Sequence, residues 1–191
     1  MQRRRADTVA ATRRRIIEAT VELHRTVGPA ATTVSEVARR AGVQRVTIYN
    51  HFPDEASLIA ACSAHWRGLH PGPDPAGWAA LEPAGVRLRT ALGAVYAWYR
   101  ETEPMAANIL RDAEVVPALG AVLDRGLRPW QAAVRATLEA PFTGRDESAR
   151  RRVAAAVRVA VDFGTWRGLK SLGDHEAAEL GARLVEAAPA A

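Results

Sequence analysis

The sequence predicts an all-α fold: an N-terminal three-helix domain built on a helix-turn-helix, then a C-terminal helical domain. Three observations carry this. Apolar residues recur at intervals of three and four through most of the chain, and no stretch alternates with the period of two that a strand needs. Gly and Pro cut the chain into segments of helical length. From Thr33 to Phe52, two short apolar-periodic segments flank a single glycine, Gly42.

In chain order, residues 1–11 are expected to form a loose arm. Its triplet Arg3, Arg4, Arg5 has two readings: a contact with phosphates or a minor groove, or a solvated tail. The first helix is expected from about Thr12 to Val27, with Ile16, Thr20, Leu23 and Val27 on one stripe and Gly28-Pro29 as its stop. Arg13, Arg14 and Arg15 then occupy its first turn, where the helix dipole disfavours cations. Such a run points to an external anion such as phosphate, or to a solvated face.

Thr33 and Glu36 have capping-box spacing, so the second helix starts there, with Val34, Val37, Ala38 and Ala41 on its apolar face. Gly42 suits the left-handed residue that ends it. The third helix buries Val43, Ile48 and Phe52. It turns outward Gln44, Arg45, Thr47, Tyr49, Asn50 and His51, a hydrogen-bonding face that suits a groove of DNA better than a core. Pro53-Asp54 restarts the chain, and a fourth helix to about Leu69 carries Leu58, Ile59, Cys62 and Trp66.

His70 to Pro83, rich in Pro and Gly, reads as a loop pinned by Trp78 and Leu81. Helices follow at about Ala84–Glu101, with Val86, Leu88, Leu92, Val95, Tyr96 and Tyr99 inward, and at Pro104–Ala113, with Pro104 in its first turn. A helix at Val116–Leu138 is kinked or divided by Pro129 unless the chain breaks at Gly126. A long helix is expected at Glu147–Ser171, and a last one at His175–Ala187. The expected domains are 1–53 and 54–191.

Composition narrows the function. Residues 1–52 hold ten arginines against four carboxylates, net +6, in a chain of net +5, so the remainder sums to −1. Base confined to one end points to a polyanion partner for that end. Only Lys170 among the 26 basic residues is a lysine, a bias that reads as genome composition, so the arginine count alone carries no function. One cysteine, Cys62, rules out an internal disulfide. His24, His51, His65, His70 and His175 lack metal-ligand spacing, and no nucleophile–base set or phosphate loop is evident. The expectation is a non-enzyme with no metal and no cofactor. With no apolar run of membrane length and no signal peptide, it is expected to be cytoplasmic.

The stretches RRRIIEATVELHRTVG and TTVSEVARRAGVQRVTIYNHFPDEASL resemble the TetR family of transcriptional regulators, through Thr33, Val37, Ala38, Ala41, Gly42, Val43, Thr47, Tyr49, His51 and Phe52. The resemblance covers about a quarter of the chain. It implies a DNA-binding unit in which Gln44, Arg45 and Val46 meet base edges, while Thr47, Tyr49 and His51 meet phosphates, with Arg13, Arg14, Thr33 and Asn50 alongside. Two other readings stand beside this: Tyr49 as a lid on the small core, and His51 as an ordinary surface residue. Three positions depart from the pattern. Gln44 is a weaker cap than Ser or Thr, Val46 is bulkier than usual, and Glu55 replaces a lysine that would bind phosphate.

The resemblance further implies a homodimer through the last two long helices, a palindromic double-stranded operator, and a small-molecule effector that releases a repressor from it. For the dimer, Ala154, Val157, Ala160, Val161, Gly164, Ala177, Leu180, Leu184 and Ala188 are named, with intramolecular core as the other reading. For the effector pocket, Trp98, Tyr99, Met105, Asn108, Trp130, Asp162, Phe163 and Trp166 are named, with packed core as the other reading. Asn108 and Asp162 stand out because each interrupts an apolar run; Asp162 has Arg158 or Arg111 as alternative partners. The competing function is a constitutive dimeric DNA-binding regulator without an effector.

Overall fold

The computed structural model describes residues 2–190, with side chains from Arg5 to Pro189. Ten α-helices and no strand are found among these residues: α1 (Gln2–Thr26), α2 (Val34–Ala41), α3 (Arg45–His51), α4 (Glu55–Leu69), α5 (Ala84–Asp112), α6 (Pro117–Arg125), α7 (Leu127–Glu139), α8 (Glu147–Ala160), α9 (Phe163–Leu169) and α10 (Asp174–Ala187). They divide into two compact units, Met1–Pro71 with Thr102–Gly126, and Gly72–Glu101 with Leu127–Ala191. Helix α5 contributes residues to both.

In the first unit, α1 packs on α2 and α4, and α4 on α6. Ile16, Ile17, Leu23, Val37, Ile48, Phe52, Leu58 and Cys62 form its core. Each such aliphatic or aromatic side chain contributes on the order of 1.5–3 kcal/mol on burial. Thr20 is fully buried in this stripe and bonds its hydroxyl to the Ile16 carbonyl at 2.7 Å, so no polar atom is lost. Val27, expected on the stripe, is 46% exposed because α1 ends before it.

The expected loose arm is helical: α1 begins ten residues before Thr12. Ala and Arg are both strong helix formers, and the docked turns from Ile16 onward supply the nucleus. Arg5 to Ala11 are exposed, and the Arg3 and Arg4 side chains lie outside the described residues. Arg13, Arg14 and Arg15 therefore sit well inside α1, and the dipole argument placed on them does not apply.

In the second unit, the first five turns of α5 bury Leu88, Leu92, Val95, Tyr96 and Tyr99, whereas Val86 is 43% exposed. Pro104 lies inside α5 instead of opening a new helix, in the part of α5 that belongs to the first unit. The chain does break at Gly126, which leaves Pro129 in the first turn of α7, where its missing N–H costs nothing.

The long helix expected at 147–171 is broken at Val161–Asp162 into α8 and α9. A mid-helix break leaves carbonyls without ladder partners. Tyr96 and Tyr99, three residues apart on α5, donate their hydroxyls to the Ala160 and Val161 carbonyls at 2.6 and 2.8 Å. Gly181 lets α10 approach closely: a Cβ there would lie 3.1 Å from both Leu92 Cδ1 and the Tyr96 hydroxyl. Buried Arg87 is satisfied by Glu82 at 2.9 Å and by the Leu81 and Thr137 carbonyls, which ties the 81–82 turn to α7. Trp78, in the short 3-10 turn Pro75–Trp78, is buried, as expected of the residue pinning this loop.

Candidate nucleic-acid interface

Helix α2 starts at Thr33, whose hydroxyl oxygen accepts from the Glu36 N–H at 3.2 Å. The reciprocal half of the capping box is replaced: the Glu36 carboxylate turns to Arg39, at 2.9 and 2.5 Å. That pairing holds Glu36 below the usual carboxylate range. Gly42, at φ 64 and ψ 42, ends α2 in the left-handed conformation, and the Val43 N–H returns to the Ala38 carbonyl at 3.0 Å. The tight reversal sets α3 directly after α2.

Gln44 occupies the N-cap of α3 and makes no side-chain cap bond, in keeping with its weakness as a cap. Its side chain is thereby left to face outward. Within α3 only Ile48 is buried; Phe52 follows as the second anchor. Gln44, Arg45, Val46, Tyr49 and Asn50 are exposed around this anchor. Val46 is 57% exposed and Tyr49 48%. Apolar and aromatic surface is thus left open on a seven-residue helix. Thr47 and His51 are half-buried at its margins. The inner edge of Tyr49 lines a cavity of about 190 Å³ together with Thr33 and Asp54, so this ring serves both surface and core.

Helix α1 borders this face. The Arg13 guanidinium sits over the Phe52 ring, 4.8 Å from its centroid, with the residue still exposed. Arg14 is exposed on the same helix. Arg15, the third arginine of the run, has its guanidinium beside the Gly42 turn. Asp54 caps α4 through the Ser57 N–H at 2.7 Å, and the acid at Glu55 in the first turn suits the same helix start.

The residues considered for an effector pocket are placed differently from one another. In the second unit, Tyr99 meets Phe163 edge-on at 5.3 Å and Trp166 at 5.8 Å, and Phe163 and Trp166 are 5.5 Å apart. Trp98 and Trp130 lie 4.7 Å apart, and Trp130 donates to the Pro73 carbonyl at 2.9 Å. These rings pack on each other as a cluster. Asp162 is exposed and caps α9 through the Thr165 N–H at 2.9 Å; neither Arg158 nor Arg111 is its partner in that bond. Met105 and Asn108 belong to the first unit, where Met105 is buried and Asn108 donates to α1 carbonyls. Among the described residues no three His, Cys, Asp or Glu side chains gather as a metal site.

Residues 16–62 match the family model described as bacterial regulatory proteins, tetR family. That stretch, about a quarter of the chain, is similar to the DNA-binding part of tetR-family transcriptional regulators. The chain's fold recurs in solved structures over nearly its full length. A TetR-family regulator from Mesorhizobium loti matches with a TM-score of 0.65 at 17% identity, covering 95% of this chain and 96% of that one. A TetR regulator from Haloarcula marismortui gives 0.58 at 16%, covering 95% and 97%. The regulator FadR from Bacillus subtilis, solved with stearoyl-CoA, gives 0.59 at 18%, covering 91% and 96%. At these identities the likeness concerns the fold. No curated protein matches the chain in sequence.

Proposed function

We propose that the protein is a homodimeric repressor that reads a palindromic DNA operator through α3. The observation that carries this is the exposed face of Gln44, Arg45, Val46, Tyr49 and Asn50, on a domain whose family binds DNA. Gln44 and Arg45 open the helix and are placed for base edges: glutamine bonds adenine in pairs, arginine guanine. Tyr49, Thr47 and His51, with Thr33, Arg13 and Arg14 around them, hold phosphates and fix the register. Such a protein acts where the chromosome is, in the cytoplasm.

Of the residues named in the sequence for the dimer, Leu180 and Leu184 support the reading, joined by Val159. Val157, Ala160, Val161 and Ala177 are intramolecular core, at 3% exposure or less. Val159 on α8 and Leu180 and Leu184 on α10, at 46–48% exposure, are left uncovered by the single chain. These two helices pack together and would meet their copies as a four-helix interface.

Release by a small molecule is supported by the ligand complex of FadR. The alternative, a constitutive regulator, is favoured by the mutual packing of the aromatic cluster and by the engagement of both tyrosine hydroxyls. Electrophoretic mobility shift against palindromes upstream of its own and neighbouring genes, over a salt series, tests the reading. Affinity should fall steeply with salt, and a flat response excludes DNA as the partner. Adding fatty acyl-CoA to the same gels separates release from constitutive binding.

A further inference from the structure

We infer that Asn108, Arg111 and Asp112, at the end of α5, are positioning residues for the helix-turn-helix: they cap the C-terminal end of α1 and fix the path of the chain into α2. The inference rests on the DNA-binding reading above and extends it to residues remote from α3 in sequence.

The last carbonyls of any α-helix lack partners inside it. At the end of α1 these come from α5. The Asn108 Nδ2 donates to the His24 carbonyl at 3.0 Å and the Arg25 carbonyl at 2.9 Å. The Arg111 Nη2 donates to the Val27 carbonyl at 3.2 Å, and its Nη1 to Asn108 Oδ1 at 2.9 Å, which fixes the orientation of that amide. The Asp112 side chain is 4% exposed; it accepts from Arg111 Nε at 2.7 Å and from the Ala30 N–H at 2.9 Å. Thr32 closes the turn onto the Gly28 carbonyl at 2.8 Å. The connection thus has its exposed backbone groups taken at 24, 25, 27, 28 and 30.

The fit leaves no slack. Gly28 has φ +95, and a Cβ there would run into Arg111 and into Asp112 Oδ2. The backbone can approach the clamp this closely only as glycine. Because Asp112 is charged and enclosed, its partners are needed: Arg111 first, then the Ala30 N–H, hold its carboxyl below the usual range.

The clamp and the DNA-facing end of α1 are far apart on the helix. His24 to Arg13 is eleven residues, or about 16 Å at the helical rise. The clamp thus lies about three helical turns from the Arg13 end of α1. It acts by setting the geometry between α1, whose Arg13 covers Phe52, and the α2–α3 pair that follows the turn.

The test is operator binding across a salt series, with amide hydrogen exchange on the same proteins. Asn108→Asp keeps the shape and turns two donors into an anion facing two carbonyls. Arg111→Lys keeps the charge and loses the fork. We expect Asn108→Asp to lower operator affinity about tenfold or more, and Arg111→Lys several-fold, both with an unchanged slope of log affinity against log salt. Exchange at residues 27–32 should speed up in both, while the fourth-helix amides stay protected. Unchanged affinity in the folded variants overturns the inference. So does a slope reduced by about one, which means a direct phosphate contact. If Asn108→Asp does not fold, Arg111→Lys decides by the same readings. If the unaltered protein binds no DNA, the DNA-binding reading falls, and the exchange rates alone decide whether the clamp holds the turn.

Discussion

Replacing Ile48 by Ala tests whether the recognition helix is held by its anchor rather than by its own helicity. Helix α3 has seven residues, far below the ~12–15 at which isolated helices become even marginally stable. Its attachment comes from Ile48, 1% exposed, and Phe52, 2% exposed, in the core with Val37 and Leu58. Ile48→Ala removes three buried carbons, about 2.4 kcal/mol of transfer free energy at ~0.8 each. The cavity left in a packed core adds to this, so the expected loss is about 3–4 kcal/mol. With a urea slope of roughly 2 kcal/mol per molar, the unfolding midpoint should drop by about 1.5–2 M. Ile48→Val is the control, with an expected loss of about 1 kcal/mol. DNA affinity, measured on the fraction still folded, should fall as well, because the exposed face is no longer fixed in register. A loss for Ala no larger than that for Val would show that α3 stands without its anchor and would refute the reasoning.

Three further outcomes are expected. Arg45→Ala should relax base preference at one operator position at a cost of about 1–3 kcal/mol, measured by binding to a set of single-base operator variants; retention of the full preference would mean a different register on the groove. His24 is 5% exposed, and burial pushes its imidazole from 6.5 down to about 4, with the charge of Asp112 opposing part of the shift. Above pH 6.5 both folded and unfolded chains hold it neutral and its contribution is whole; between 6.5 and 4 only the unfolded chain takes the proton, so stability falls with pH, by on the order of 3 kcal/mol across the window. Denaturant melts of the protein and of His24→Gln over that range should diverge, and parallel curves would contradict the assignment. Gly181→Val should cost about 1–3 kcal/mol by forcing α10 from Leu92 and Tyr96, seen as a lower thermal midpoint; an unchanged midpoint would mean that α10 shifts freely.

The helix-turn-helix was legible because its determinants are local. Thr33, Gly42, Asp54 and the spacing of Val37, Ala41, Ile48 and Phe52 each act within a few residues, and the structure places them as read. The helical start of α1 was also legible in principle, since its Ala and Arg residues favour a helix. Two polar residues misled because their partners lie elsewhere. Asn108 looked like a ligand contact, yet its partners are carbonyls 83 and 84 positions away. Asp162 looked like a buried charge in an apolar helix, yet it marks a helix start. Asp, a good N-cap residue, was itself the available signal, hidden because the segments on both sides of the break are apolar. Tyr96 and Tyr99 read as core and are core, but their hydroxyls also serve the break, which no pattern on α5 reveals.

The exposed opening of α1 has a thermodynamic consequence. A free arm must lose about 1–2 kcal/mol of backbone entropy per residue before it can lie along a partner. Arg5 to Ala11 are already helical, and the turns docked from Ile16 onward have met the cost of starting the helix, so each residue added needs only propagation. Whatever meets this segment encounters a rod of about 10 Å, set by the helical rise over these seven residues. The attraction between Arg5 and an anion is then spent on binding rather than on ordering, and the positive end of the helix dipole adds to it instead of opposing it.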